Sequence, residues 1–341
     1  MSATTGFDVS ALAALVNETE FGFMFYKEAL MNNDTFAFTQ KYGEVLQNAK
    51  NDTYKLGNFN GSATAQDGDG CGQNSVDQIT HTQTTLTMVN IKFEGQFCPQ
   101  TLEPYYLAAA LPPGQHYESL GALGAQYIAE IQRQIAKKMA IMPYYGPTGA
   151  DTATYANGPW MDLLLAQTGI NLATGDSTNG GSAGTDAAGA WNRVEAIKNR
   201  FLADGDSAAG VFEDGEYSVE MSPLDASLYF ENMRTLFGQD TVTPLQQRFN
   251  DGNFSSWIHP GTRMRIYVVN ALGSGDLASR PIIGTRRENK VLAFDLRSDT
   301  TRLEMGMDQY REFIWWKWRA KMGTAWRSYN TKDVAYFGPA S

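Results

Sequence analysis

The residues YESLGALGAQYIAEIQRQIAKKMAIM, 117–142, are the clearest structural element in this sequence. Its apolar residues recur at intervals of three or four, which is typical of the buried stripe of an amphipathic helix. At about 1.5 Å per residue, a helix over this stretch is ~39 Å long. Pro143 and the pair Gly146–Pro147 predict its end. The stripe, which Ile128 widens, comprises Leu120, Leu123, Tyr127, Ile131, Ile135, Met139 and Met142.

The composition around this helix indicates a folded, acidic protein. The chain has 341 residues, of which 43% are hydrophobic and 19% charged, so a wholly disordered chain is excluded. The length suits two domains or one elaborated domain. A net charge of -10 disfavours a protein whose main task is to bind nucleic-acid phosphates.

The charge is also unevenly distributed along the chain. Residues 1–147 carry 8 basic and 14 acidic side chains, residues 148–285 carry 8 and 16, and residues 286–341 carry 11 and 7. Opposite signs at the two ends suit head-to-tail contact between identical copies. A solvated charged face without a partner would produce the same asymmetry.

Cysteine content and hydropathy indicate the compartment. Two cysteines, Cys71 and Cys98, are too few for a disulfide scaffold and favour a reducing environment. The N-terminus lacks a basic region followed by an apolar run, so no signal peptide is predicted. No apolar run reaches the length of about 18 residues that a membrane-spanning helix needs.

The flanking segments predict a mixture of helices and strands. Residues 8–31 predict a helical arm that must dock on another surface. The Gly-, Asn- and Asp-rich residues 57–72 predict an exposed loop tip. Helices are expected near 159–168, 190–203 and 222–237, and strands near 263–269, 282–296, 313–322 and 334–337.

A strand with alternating apolar residues follows the loop tip. Val89, Ile91 and Phe93 alternate with polar residues, which is the period of two expected of a half-buried strand. Residues 49–98 are therefore expected to form a long two-armed loop. An isolated hairpin cannot cover such an apolar face, so a second copy of the chain is expected to do so.

Motifs that could carry catalysis are weak. Residues 180–184 match the GxSxG pattern, but they lie in a low-complexity loop and not at a strand-to-helix turn. Asp67, Asp69 and Gly72 imitate the start of a calcium loop, yet Cys71 and Gln78 occupy positions that need oxygen ligands. The three histidines are scattered, and no carboxylate pair stands out as an acid and base. No catalytic, cofactor-binding or metal-binding residue is assigned, and no enzymatic activity is predicted.

The tryptophan-rich C-terminal strand admits two interpretations. Trp315, Lys317 and Arg319 alternate with Trp316 and Trp318. Basic and aromatic side chains together could form a nucleic-acid surface. Strict alternation favours a core or subunit interface instead, with Trp316 and Trp318 on one face of a sheet.

The order of these elements resembles the major capsid protein of tailed bacteriophages. A helical arm, a long loop, a very long helix after a proline break, an inserted mixed domain and returning strands occur in that order. The family has an α+β architecture, the Hong Kong 97-like fold. Some segments, such as MSPLDASLYFENMR (221–234) and FIWWKWRAKMGTAWRSYNTKDVAYF (313–337), look somewhat like the capsid proteins of crAss-like gut phages.

The resemblance implies a domain division. It comprises an N-terminal arm (1–48), an extended E-loop (49–98), a P-domain with the spine helix 117–142 (99–147), an A-domain (148–297) and C-terminal P-domain strands (298–341). The start of the chain with the arm at Met1 implies a separate scaffold or none. No Lys–Asn isopeptide crosslink is assigned.

The same resemblance implies a function in the virion. Copies of the chain would assemble in the host cytoplasm into hexamers and pentamers of an icosahedral shell around double-stranded DNA, with portal and minor capsid proteins as further partners and no membrane. Val89, Ile91 and Phe93 are the predicted intersubunit contacts, and Ile91→Asp is expected to leave a folded subunit that cannot assemble. The alternatives are an acidic, aromatic-rich glycan hydrolase and another virion protein of the tail or portal.

Overall fold

The computed structural model describes residues 35, 39, 41, 43–47, 49, 51–60, 80–97, 121–146, 159–167, 169–172, 187–203, 211–212, 215–237, 256–274, 281–295, 303–308 and 313–337. The strands of these residues are β1 (Glu44–Gln47), β2 (Thr53–Asn60), β3 (Thr80–Thr87), β4 (Val89–Phe97), β5 (Tyr217–Met221), β6 (Ser256–Ile258), β7 (Arg265–Val268), β8 (Ile282–Arg286), β9 (Lys290–Phe294), β10 (Leu303–Asp308), β11 (Phe313–Trp326) and β12 (Val334–Phe337). The helices are α1 (Gly121–Tyr145), α2 (Trp160–Leu165), α3 (Ala187–Leu202), α4 (Pro223–Phe237) and a 3₁₀ helix over Asn270–Ser274.

The first sheet is built around the long strand β11. Strands β4 and β10 both pair antiparallel with its N-terminal part, and β9 pairs antiparallel with its C-terminal part from Met322 to Trp326. Strand β1 adds to β9 in parallel. One strand of 14 residues thereby joins β9 and β10, which precede it closely in the sequence, to β4, which lies more than 200 positions away.

The second sheet has the order β12-β8-β5-β7-β6. Its central strand β5 pairs parallel with β7 and antiparallel with β8. All five residues of β5 are buried. Tyr217, Val219 and Met221 lie in the apolar cluster to which α3 and α4 contribute, whereas Glu220 is bonded to Tyr144 of α1 and to Lys290 of β9.

Helix α1 confirms the predicted stripe over its described side chains. Ile131, Ile135, Met139 and Met142 are each less than 5% exposed. The helix continues through Pro143 and ends at Gly146, whose φ of 76° and N–H bond to the Met142 carbonyl at 2.8 Å form a left-handed cap. Proline therefore lies in the last turn and does not end the helix, which extends three residues beyond the predicted boundary.

Helix α4 begins with a reciprocal cap. The Ser222 hydroxyl accepts a hydrogen bond from the Asp225 backbone N–H at 3.1 Å and donates one to the Asp225 carboxylate at 2.6 Å. Pro223 occupies the first helical position, where its missing N–H costs nothing. Arg193 of α3 binds the same carboxylate at 2.8 Å, so the cap also joins the two helices.

Strands β2 and β3 form a separate two-stranded antiparallel ribbon, with Thr53 opposite Thr87 and Asn60 opposite Thr80. Gly57–Asn60, predicted as the start of the loop tip, therefore belong to β2. The ribbon includes residues on both sides of a gap, 61–79, that lies outside the described residues.

Two segments lie in a different sheet from the one that the domain division implies. Strand β9, inside 148–297, belongs to the first sheet, whereas β12, inside 298–341, pairs with β8 in the second sheet. The turn at 287–289 passes from one sheet to the other, with Glu288 at a φ of 65°. The predicted single strand over 282–296 is thus two strands in two sheets.

The short strands were not predicted from the sequence. Strands β1, β5, β6 and β10 are three to six residues long, too short for a clear period. None of the helices in the described residues is long and apolar enough to cross a membrane.

Candidate assembly interface

The base of the ribbon packs on the chain's own first sheet. Leu56 and Leu86 are buried in a small apolar cluster with Val291 and Ala325, and Tyr54 packs against the same cluster. The hydroxyl of a ribbon residue, Thr84, donates a hydrogen bond to the Arg327 carbonyl at 2.7 Å. This end of the ribbon is therefore fixed to the subunit that contains it.

The outer face of the ribbon is polar and open to solvent. Lys55 lies opposite Thr85, and both are exposed, as are Thr53 and Gln83. A two-stranded ribbon alone in water is marginally stable. The part of the ribbon beyond the Leu56–Thr84 pair has strand hydrogen bonds only within the ribbon, among the residues described.

The predicted contact strand β4 is covered by its own chain. Ile91 is 7% exposed and belongs to the main apolar cluster, while Phe93 packs against that cluster with its ring 5.5 Å from that of Trp318. Val89 and Phe93 are half-buried. The alternation is confirmed, since Asn90, Lys92 and Glu94 are exposed, but a second copy is not needed to cover Ile91.

The reason is the partner strand, which lies far away in the sequence. Residues 89–97 pair with residues 314–322 over their whole length. This pairing makes β4 a strand of a five-stranded sheet and not an arm of a hairpin. Contact of Val89, Ile91 and Phe93 with a neighbouring copy stays a prediction.

The tryptophans alternate as the sequence predicts. Trp318 is 1% exposed and Trp316 is half-buried, whereas Trp315 is 37% exposed on the opposite face, next to Lys317 and Arg319. Lys317 pairs across the strands with Glu94 and Glu304. Acidic neighbours thus offset the positive charge of this face, which weakens the case for a phosphate-binding surface.

A buried ionic cluster lies where the two sheets meet α1 and α2. Lys290 of β9 donates to both carboxylate oxygens of Glu220 of β5, at 2.9 and 2.7 Å, and to the Tyr144 hydroxyl of α1 at 2.7 Å. Tyr144 in turn donates to Glu220. The ammonium lies 4.0 Å from the ring centroids of both Tyr144 and Trp160, which form an aromatic cage.

Burial controls the ionisation of this cluster. Desolvation lowers the pKa of Lys290 to about 8, although the Glu220 carboxylate acts in the opposite direction. Desolvation, with the nearby Glu220 charge, raises the pKa of Tyr144 well above its ordinary value. The tyrosine is therefore a neutral hydrogen-bond donor at physiological pH.

A second polar network joins α3, α4 and the turn after β6. His259 is fully buried, with Nδ1 2.7 Å from the Tyr229 hydroxyl and Nε2 2.7 Å from the Glu195 carboxylate. Burial would raise the pKa of Glu195, but hydrogen bonds from His259 and Lys198 outweigh it and hold that pKa at about 2. Desolvation raises the pKa of Tyr229. His259 is bonded to both Tyr229 and Glu195, and the three residues come from three different elements. Such an arrangement is typical of a network that stabilises the fold.

The other sequence candidates lie in parts of the chain that the structure does not describe. Cys71, Cys98, the 180–184 motif and the calcium-like residues from Asp67 to Gln78 lie outside the described residues, as does the 8–31 arm. In the described ranges, no group of three or more His, Cys, Asp or Glu side chains could hold a metal ion. Sequence reasoning missed the Lys290–Glu220 pair, although each residue is a lone charge in an otherwise mostly apolar strand, KVLAF and YSVEM.

Comparison with known proteins gives no sequence match and clear structural ones. No family model and no curated protein matches the chain. The chain is similar to a chain in the procapsid of satellite phage P4, solved with the size determination (Sid) protein, with a TM-score of 0.54 and 10% identity; the match covers 99% of this chain and 98% of that one. It is also similar to a chain of Gordonia phage Cozz, with a TM-score of 0.50, 11% identity and coverage of 89% and 86%.

These similarities concern the fold, since the identities are low. The structural neighbours of this chain are phage capsid proteins, and it shares with them a mixed helix-and-sheet architecture.

Proposed function

We propose that this chain is the major capsid protein of a tailed bacteriophage, which self-assembles into the icosahedral shell around the double-stranded DNA genome. The observation that carries the proposal is the match to the P4 procapsid chain over 99% of this chain and 98% of that one. The match leaves no large part of the given sequence outside the shared fold.

The proposed fold is the Hong Kong 97-like one. In this assignment α1 is the spine helix, the first sheet with α1 forms the P-domain, and the second sheet with α3 and α4 forms the A-domain. The ribbon of β2 and β3 is the extended E-loop, without β4. Residues 1–48 would be the N-terminal arm, and membership of the crAss-like subgroup rests on the sequence segments alone.

The proposed assembly mechanism begins with the ribbon. The base of the ribbon is packed on the first sheet of the same subunit through Leu56 and Leu86. The far end of the ribbon can therefore contact a second copy while the base stays in place. Repeated head-to-tail contacts of this kind close into hexameric and pentameric rings, which tile a shell. The net charge of -10 limits binding to packaged DNA, because an acidic surface repels phosphates.

The proposed intersubunit contact is therefore centred on the ribbon and not on β4. The outer face of the ribbon, with Lys55 and Thr85, is the main contact, and half-buried Val89 and Phe93 are kept as secondary contacts. A separate scaffold, a portal and minor capsid proteins are the further partners proposed. The location is the virion, after assembly in the bacterial cytoplasm.

Electron microscopy of the purified full chain tests this function. Closed shells of uniform diameter, with a sedimentation coefficient far above that of the subunit, are the expected result. Rings or tubes would indicate a tail or portal protein instead. Release of reducing ends from polysaccharides, with the chain monomeric at all concentrations and in the presence of co-expressed scaffold, would contradict the proposal.

A further inference from the structure

Directional polar contacts join the two sheets in the described part of the subunit, and the Lys290–Glu220–Tyr144 cluster is the buried one among them that contains an ion pair. Within the described residues, no strand of the first sheet is hydrogen-bonded to a strand of the second. The apolar cluster between them includes Leu292 from one sheet and Ile283 and Tyr336 from the other. Apolar contacts of this kind are non-directional and tolerate small sliding movements.

The Lys290–Glu220–Tyr144 cluster, in contrast, fixes a position. Its members come from β9 of the first sheet, β5 of the second sheet and the end of α1. Each of the three groups binds the other two, and both ionic residues are at most 1% exposed. A rotation of one sheet against the other would break at least one bond and leave a charge buried without its partner, which is strongly unfavourable.

The surroundings of the cluster are tied to both sides. The Trp160 indole N–H, at the cage, donates to the carbonyls of Val291 and Ala325 in the first sheet, each at 3.2 Å. The Tyr145 hydroxyl, one residue after Tyr144, donates to the Leu272 carbonyl at 3.2 Å, in the 3₁₀ helix that follows β7. The end of α1 is thus a fixed point between the sheets.

Stability alone does not account for such a cluster. Removing two charges from water costs about as much as their attraction returns, and apolar groups of similar volume often stabilise a core equally well or better. A directional ion pair instead restricts the number of ways in which two packed units can fit together.

We propose that the Lys290–Glu220–Tyr144 cluster is a lock that sets the angle between the two sheets and thereby the curvature of the assembled shell. This inference rests on the proposed capsid function. Each subunit repeats the same angle, so a small spread in the angle accumulates over a ring and widens the range of shell sizes.

The test compares three variants with the unmodified chain. Lys290→Met alone leaves the Glu220 carboxylate buried without its cation, and we expect a large loss of folded protein. The triple variant Lys290→Met, Glu220→Leu, Tyr144→Phe replaces the whole cluster by apolar groups, and we expect it to melt at or above the temperature of the unmodified chain. Its particles, measured by electron microscopy, are expected to lose their uniform diameter. The control, Glu130→Gln with Arg133→Gln, removes an exposed ion pair of α1 and should leave particle diameter unchanged.

The outcomes separate this inference from the proposed function. If the unmodified chain forms no closed particles, the proposed function itself fails. If it forms uniform particles and the folded triple variant forms particles of the same narrow diameter distribution, the lock is refuted. If the triple variant does not fold, the double variant Lys290→Met with Glu220→Gln decides, because it removes both charges and keeps an oxygen that can accept the Tyr144 hydrogen bond: a widened distribution supports the lock, and an unchanged one overturns it.

Discussion

Strands β3 and β4 are consecutive, separated only by Met88, yet they have opposite surroundings. Strand β3 pairs with β2 alone, and its exposed face is rich in threonine. Strand β4 pairs over its full length with β11, more than 200 positions away in the chain, and its apolar face lies in the main cluster. The difference teaches that the period of two shows which side chains share a face, whereas the partner strand decides what covers that face.

The largest expected effect is that of Ile91→Asp. The residue is 7% exposed in the main apolar cluster, so the variant buries an unpaired carboxylate at a cost of roughly 4 kcal/mol or more. Total stability is typically about 5–15 kcal/mol, so we expect severe loss of folded protein, measured by circular dichroism on heating. This reverses the sequence-based expectation of a folded subunit that cannot assemble.

Asn90→Asp is the matched control for that variant. It places the same carboxylate one residue earlier, on the exposed face of β4, and should change the unfolding free energy by at most about 0.5 kcal/mol. A folded Ile91→Asp chain with a normal melting temperature would mean that β4 is not part of the intrachain core.

The next effect in size concerns the base of the ribbon. Leu86 is fully buried against Val291 and Ala325, and its truncation to alanine should cost roughly 2–5 kcal/mol. Because the cluster joins the ribbon to the first sheet, we expect local release: faster hydrogen exchange of β2 and β3 with little change in β4. Equal acceleration of exchange in β4 would show that ribbon and sheet unfold as one unit, and Thr85→Ala, at an exposed neighbour, serves as the control.

Long-range pairing marks the limit of what the sequence could predict. The stripe of α1 and the alternation in β4 and β11 are encoded locally, so Met139, Ile91 and Trp318 were correctly predicted to be apolar-face residues. The partner of β4 and the contact between Lys290 and Glu220 depend on residues about 225 and 70 positions away, for which one sequence has no local signal. The same limit explains why the sequence shows no boundary between β8 and β9.

A smaller effect on stability is expected to distinguish two glycines in strands, each of which lies beneath an aromatic side chain. A Cβ at Gly95 of β4 would lie 2.7 Å from Nε1 of Trp316, and one at Gly57 of β2 would lie 2.9 Å from Nε2 of His81. His81 is exposed and can turn away, whereas Trp316 is half-buried and packed against the main cluster. We expect Gly95→Ala to cost about 1–3 kcal/mol and Gly57→Ala to be neutral or slightly stabilising, in paired thermal melts. Equal losses would mean that the ribbon is packed as rigidly as the sheet.

The smallest expected effect on stability carries the sharpest test of the interface. Lys55 is exposed on the outer face of the ribbon, opposite Thr85, so Lys55→Glu should change the unfolding free energy by no more than about 0.5 kcal/mol. The effect of Lys55→Glu on assembly should be much larger, because the interface is repeated in every subunit. A negative charge placed against an acidic neighbouring copy opposes each of these contacts.

The matched control is Lys332→Glu, which makes the same charge change at an exposed turn before β12. Both variants lower the net charge equally, so a general loss of assembly through self-repulsion would affect both. We expect only Lys55→Glu to remain as free subunits in sedimentation, with a normal melt. Normal particles from Lys55→Glu would remove this face of the ribbon from the interface, and parallel loss in both variants would assign the effect to net charge. A defect confined to Lys55→Glu requires a contact at the ribbon, since both variants make the same change of charge.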